Sequence, residues 1–199
     1  MRAVDEEHEV ALRQMLEGDE AAFRLIYREV HPPVLRYVGV LVGTEDAEDV
    51  ASEAWAQAFR DLDRFSGDLD GFRGWVTTIA RHRAMDHLRR RSRRPVGDDL
   101  ELAASLPDAA DVEAAVADAF STDGALALIR SLPKEQAEAV MLRVVLGFDA
   151  NTAAAILGKR PGAVRTAAHR GLASLARQLG APNIPMSAVT LSILLALVR

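Results

Sequence analysis

A chain of 199 residues with 24 basic and 29 acidic side chains carries a formal net charge of −5 and is 49% hydrophobic. That is material for one large or two small domains. The absence of cysteine excludes disulfides and thiolate-held zinc or iron–sulfur centres, and fits a cytoplasmic location. The N-terminal MRAVDEEHEV has acids where a secretory signal needs a basic region and an apolar core.

Alanine, leucine and arginine dominate and favour helix, so the fold expected is all-α. A first helical unit is expected over residues 1–94. Turn signals divide it at Gly18-Asp19, His31-Pro32-Pro33, Gly43-Thr44 and Ser66-Gly67-Asp68. From Thr44 a capped helix is predicted, with acids in its first turn where the dipole favours them. Val50, Ala54, Ala58 and Leu62 form its inward stripe, flanked by Trp55 and Phe59. Asp46, Glu48, Asp49, Glu53 and Gln57 are left outward. That acidic face suits either solvent or a docked protein.

Residues 72–94, FRGWVTTIARHRAMDHLRRRSRR, begin as an amphipathic helix. Phe72, Trp75, Val76 and Ile79 recur at three- and four-residue spacing, with Trp75 read as core. The segment ends in Arg89, Arg90, Arg91, Arg93 and Arg94. Positive charge at that density is costly to hold together without a polyanion, and nucleic acid is the usual one. The rest of the chain is acidic, so this charge is local rather than general.

Residues 95–122 form an acidic, alanine-rich linker expected to be flexible, with a short helix predicted over 112–120. Asp98, Asp99, Glu101, Asp108, Asp111, Glu113 and Asp118 carry its charge. A second unit follows at 123–180. Pro133 is predicted at the first position of one helix, with Val140, Leu142, Val144 and Val145 as its apolar body and Gly147 as its end. Asp149 caps a short helix that Gly158 stops, and Ala153, Ala154 and Ala155 permit close packing. Pro161 opens a third helix with a stripe of Val164, Ala168, Leu172 and Leu175. Two helices across a tight glycine turn read as helix-turn-helix. Arg160, Arg165, Thr166, His169 and Arg170 are placed to read DNA. The tail, 181–199, is apolar, but its run is about 13 residues against the ~20 a spanning helix needs, so no membrane insertion is expected.

No Glu-x-x-His occurs in the chain, and the helical stripes are filled with Val, Ile, Leu and Ala. No metal site, cofactor or catalytic residue is therefore expected.

Taken together, these segments resemble a bacterial extracytoplasmic-function (ECF) sigma factor of the sigma-70 family, over about residues 19–179. DAEDVASEAWAQAF at 46–59 resembles the family's polymerase-clamp-binding helix, DAEDLVQETFLRAF. The start of the basic segment resembles FRAWLLTIARNRAIDHLRR, the promoter-melting helix. Leu132-Pro133 with VMLRVVLG at 140–147 resembles LPPRQREVLLLRYVEG. ILG at 156–158 with GAVRTAAHR at 162–170 resembles EILGIPVGTVKSRLHRAR.

The resemblance implies two helical domains joined by the linker, with no catalytic residues of their own. Asp46, Glu48, Asp49, Glu53 and Gln57 would dock on the clamp coiled coil of core RNA polymerase, and the second domain would meet its flap. The loop at 65–71, with Phe65, Ser66 and Asp68, would receive a flipped base of the −10 element. Thr78, Arg81, His82, Arg83, Arg89, Arg90 and Arg91 would hold duplex and melted promoter DNA. Arg160, Arg165, Thr166, His169 and Arg170 would read the −35 element. An anti-sigma factor is a further implied partner. His82 stands where asparagine is common, Asn151 and Thr152 where the family has an acidic pair, and Ala167 where a basic residue is common. The alternative reading is an autonomous helix-turn-helix regulator that binds duplex DNA without polymerase.

Overall fold

The computed structural model describes residues 2–93 and 122–179, and among these every regular element is helical. The expected linker helix at 112–120 and the tail at 181–199 lie outside the described residues. The chain divides into two compact units between His87 and Leu88, and each is described by itself.

The first unit contains α1 (Arg2–Leu16), α2 (Glu20–Val42), α3 (Thr44–Arg60), a 3-10 turn (Leu62–Arg64) and most of α4 (Leu69–Arg93), a helix that continues past the division at His87. Helix α2 is its centre and packs against α1 and α3. Asp19 starts it, accepting from the Ala22 backbone N–H at 2.8 Å. Ile26, Val30, Val34 and Val38 repeat every four residues along one face, and all are fully buried. Leu12 and Met15 of α1, Val50, Ala51 and Ala54 of α3, and Phe72, Val76 and Ala80 of α4 complete the core. Burying one such larger apolar side chain stabilises by about 1.5–3 kcal/mol.

That stripe explains the first departure from expectation. The break expected at Pro32-Pro33 does not occur, because α2 runs unbroken through both prolines. A proline inside a helix costs about 3 kcal/mol. The buried stripe from Ile26 to Val38 would be cut in two by a turn there, and that loss is larger. The carbonyls that lose donors belong to Arg28 and Glu29, both exposed and open to solvent.

Smaller corrections follow the same logic. Thr44 is the first residue of α3 rather than its cap; Gly43 takes the cap position with φ 92, a region glycine reaches without strain. Leu62 lies in the 3-10 turn, half-buried, and Phe59 is 64% exposed. Trp75, expected in the core, is half-buried. At the start of α4, the Asp68 carboxylate accepts from the Gly71 N–H at 2.8 Å, and Glu9 of α1 accepts from the Leu69 N–H at 2.9 Å. Two carboxylates thus satisfy free donors of one helix N-terminus.

The second unit contains α5 (Thr122–Arg130), α6 (Lys134–Val140) with a π-turn (Met141–Val145), α7 (Ala150–Leu157) and α8 (Pro161–Gln178). Pro133 sits one position before α6, as its cap, rather than inside it. The π-turn closes with the Leu146 N–H donating to the Met141 carbonyl at 2.9 Å. It buries Met141 and Leu142 and leaves Val144 and Val145 half-exposed. Asp149 caps α7 through the Asn151 and Thr152 N–H groups at 2.7 and 2.8 Å. Gly158 ends it in the left-handed region, φ 64. Ala153 and Ala154 are buried, whereas Ala155, expected at the contact, is exposed.

Helix α8 packs closely on α6, and Gly171 is the reason it can. A Cβ there would lie 2.7 Å from Val140 Cγ2 and 3.3 Å from the Gln136 carbonyl. Glycine in a helix interior costs about 1 kcal/mol relative to alanine; here it is required by the approach of the two backbones.

No helix among the described residues is long and apolar enough to cross a membrane. The described residues hold no cluster of three or more histidines and acids placed to bind a metal ion.

Candidate nucleic-acid and protein interface

Helix α3 places its acids on two faces. Glu48, Asp49 and Glu53 are exposed, as expected. Asp46 and Gln57, expected outward as well, are half-buried and turned toward α4. Asp46 Oδ2 lies 3.1 Å from His87 Nε2. Gln57 Oε1 accepts from Arg83 Nε at 2.7 Å and also from Arg83 Nη2. The Gln57 amide Nε2 donates to Asp61 Oδ2 at 3.4 Å. Periodicity could not reveal the Asp46–His87 and Gln57–Arg83 pairs, since their partners are distant in sequence and each looks outward on its own helix.

Behind the exposed acids lies an aromatic cluster. Phe23 and Tyr27 of α2 meet Trp55 of α3 at ring distances of 6.3 and 4.7 Å, and Phe23 meets Phe59 edge-on at 5.7 Å. His31 stacks on Tyr27 at 4.6 Å with its Nε2 4.0 Å from Glu48 Oε2. Burial holds the His31 imidazole below its ordinary value, and the Glu48 carboxylate acts against that shift. Its Nδ1 is buried with no hydrogen-bond partner.

The loop before α4 is tied down rather than open at Phe65. That ring packs edge-on against Phe72 at 5.2 Å and against Trp75 at 5.3 Å. Asp68 is committed to the helix cap, while Ser66 is exposed. Along α4, the Thr78 hydroxyl donates to the Gly74 carbonyl at 2.8 Å, a back-bond that satisfies it locally. Arg81 and Arg83 are half-buried. His82, Arg89, Arg90 and Arg91 are exposed. The helix therefore carries its arginine end into solvent, where a polyanion can reach it.

In the second unit the helix-turn-helix forms from α7, the Gly158 turn and α8. Lys159 in that turn pairs with Glu135 of α6. The pairing, chiefly the hydrogen bond from Lys159, holds the Glu135 carboxyl below the usual range. Arg160, Arg165, Thr166, His169 and Arg170 are all exposed, on the side of α8 opposite buried Val164, Ala168 and Leu172. The Thr166 hydroxyl donates to the Gly162 carbonyl at 3.0 Å, so Thr166 presents mainly its methyl group and oxygen lone pairs. Arg160, Arg165, His169 and Arg170, four cationic or imidazole side chains, share that exposed side with it. Gly171 was legible in principle, since an unexplained glycine inside a helical stripe is itself a signal of close approach.

Comparison with known proteins follows the same two units. The family model for sigma-70 region 2 matches residues 26–94, and that for sigma-70 region 4 matches residues 123–175. The chain is 32% identical over 168 residues to the ECF RNA polymerase sigma factor BldN of Streptomyces coelicolor, covering 81% of this chain and 62% of that protein. It is 32% identical over 177 residues to the ECF RNA polymerase sigma factor SigD of Mycobacterium tuberculosis, covering 84% of this chain and 81% of that one. It is 29% identical over 178 residues to the ECF RNA polymerase sigma-E factor of Escherichia coli K12, covering 79% and 86%. The chain thus spans about three-fifths of the first of these relatives and most of the others. Among solved structures, the Bartonella quintana sigma factor RpoE, crystallised with the anti-sigma factor NepR, superposes with a TM-score of 0.57 at 22% identity, covering 79% of this chain and 96% of that one. CnrH, solved with the cytosolic domain of CnrY, gives 0.57 at 24%, covering 86% and 96%. These two likenesses speak to the fold.

Proposed function

The chain belongs to the sigma-70 family, among the ECF RNA polymerase sigma factors, and on that premise we propose that it binds core RNA polymerase, directs it to specific promoters and helps melt the −10 element. It is a transcription initiation factor rather than a catalytic enzyme, and polymerase performs the chemistry in the cytoplasm. The polymerase clamp meets the exposed acids Glu48, Asp49 and Glu53 of α3, with Asp46 at the edge of that face. Promoter DNA meets α4 through Arg81, His82, Arg83 and the run Arg89, Arg90 and Arg91. Ser66 and the aromatic floor of Phe65 and Trp75 flank the flipped base. The −35 element meets Arg160, Arg165, Thr166, His169 and Arg170 of α8, and the second unit also contacts the polymerase flap.

The observation that carries this reading is the division of charge between helices α3 and α4. Exposed acids lie on α3 and exposed arginines end α4, so these two helices offer a protein-docking face and a polyanion face of opposite sign. Each DNA contact is weak alone, and joining both through one chain multiplies them by effective concentration. An anti-sigma factor is the regulatory partner this reading adds, since the superposed sigma factor RpoE was solved with such a protein.

Electrophoretic mobility shift on promoter fragments tests the reading against an autonomous regulator. A sigma factor shifts its promoter only with core polymerase present. A tight shift by the chain alone contradicts the proposal.

A further inference from the structure

We propose that Gln57 is a positioning residue for Arg83: its side-chain carbonyl fixes the guanidinium on α4 without neutralising it, so that the helix facing polymerase sets the geometry of the helix facing DNA. This rests on the functional reading above and assigns to Gln57 a role other than direct polymerase contact.

The amide is held at both ends. Its oxygen takes two donors from Arg83, with Nε at 2.7 Å. Its nitrogen donates to Asp61 Oδ2 at 3.4 Å, and Asp61 Oδ1 in turn accepts from Arg64 Nη1 at 3.3 Å. Only one amide orientation satisfies an arginine on one side and a carboxylate on the other. Both Gln57 and Arg83 are half-buried, so the pair is partly shielded from water.

The chemistry of the acceptor matters. A carboxylate at position 57 would hold the guanidinium equally well and cancel its charge. A neutral carbonyl restrains it and leaves the full positive charge for a phosphate. A long arginine side chain loses considerable rotamer freedom when it engages a ligand. Fixing Arg83 beforehand removes part of that loss from the step in which DNA is gripped. Asp46 Oδ2 and His87 Nε2, 3.1 Å apart, are a second point of contact between the same two helices, so the orientation of α4 on α3 does not rest on Gln57 alone. Loss of Gln57 should therefore free Arg83 without displacing the helix.

Two substitutions separate restraint from charge. Gln57→Leu removes the acceptor at similar volume, and Gln57→Glu keeps it while adding a charge. In the free protein, the Arg83 Nε–H resonance should be sharp and slow to exchange in the wild type and in Gln57→Glu. In Gln57→Leu it should exchange at the rate of a free arginine. In open-complex formation with core polymerase, Gln57→Leu should be about three- to tenfold slower, the scale of one immobilised side chain, with polymerase affinity within about twofold of wild type. In an Arg83→Gln background, Gln57→Leu should add no further defect. An unchanged Arg83 resonance in Gln57→Leu overturns the proposal, as does a loss of polymerase affinity that persists in the Arg83→Gln background. A wild-type chain that fails to bind polymerase sinks the functional reading instead, and the resonance then decides the restraint by itself.

Discussion

Asp46 Oδ2 lies 3.1 Å from His87 Nε2, joining the first turn of α3 to the far half of α4. The two side chains are 30% and 25% exposed, while His87 Nε2 itself is buried and makes no hydrogen bond. Replacing Asp46 with alanine should lower the stability of the full chain by less than about 1 kcal/mol, the range of a partly exposed polar contact. Chemical denaturation reads this directly. A larger loss would mean that the tie carries more of the α3–α4 orientation than its exposure allows.

The arginine end of α4 gives a prediction in salt. Arg89, Arg90 and Arg91 are exposed, and each phosphate neutralised on duplex DNA contributes about −0.9 to the slope of log affinity against log salt. The triple alanine variant should form open complexes more weakly and with a shallower salt slope, by about one to three such contacts. Its polymerase affinity should change little. A deficit confined to polymerase binding would reassign the arginines to the protein partner.

His31 supplies a pH dependence. Burial lowers its folded-state pKa below the ordinary value of 6.5, with Glu48 opposing the shift. The unfolded chain therefore holds the proton more tightly than the folded one. The stability contribution is full above about pH 6.5 and is lost as pH falls through that value toward the folded pKa. The denaturation midpoint of the wild type should fall between pH 7.5 and 5.5 by more than that of His31→Phe. Equal losses in both proteins would remove His31 from the account.

Gly171 tests the packing of the helix-turn-helix. Alanine there adds helix propensity of about 1 kcal/mol, but its Cβ would sit 2.7 Å from Val140 Cγ2 and 3.3 Å from the backbone of Gln136. Overpacking of this kind costs about 1–3 kcal/mol. Gly171→Ala should therefore be neutral to destabilising, and Gly171→Val should clearly lower the melting temperature. A stabilised Gly171→Val would show that α6 and α8 are further apart.

What the sequence could show and what it could not divide along physical lines. Short-range rules carried the acid-first helix α3, the Asp149 cap, the Gly158 stop and the stripe of α8, because periodicity and capping act within one element. The exposure of Arg165, Thr166, His169 and Arg170 on α8 follows from the same periodicity. The continuation of α2 through Pro32 and Pro33 did not follow, since the deciding term is the burial of Ile26 to Val38 against α1 and α3, a tertiary quantity. Asp46 and Gln57 read as outward because helix phase was judged against one core, whereas α4 supplies a second neighbour. Phe65 and Asp68 were legible as loop residues, but the aromatic packing of one and the capping role of the other depend on where α4 begins.

The docking of α3 on polymerase is the central claim, and gel filtration with sigma-free bacterial core RNA polymerase tests it most directly. The chain should co-elute stoichiometrically, and the Asp49→Arg, Glu53→Arg variant, altered only at exposed positions, should elute alone while remaining folded by circular dichroism. A folded wild-type chain that elutes apart from polymerase would contradict the account, as would a charge-reversed variant that still co-elutes.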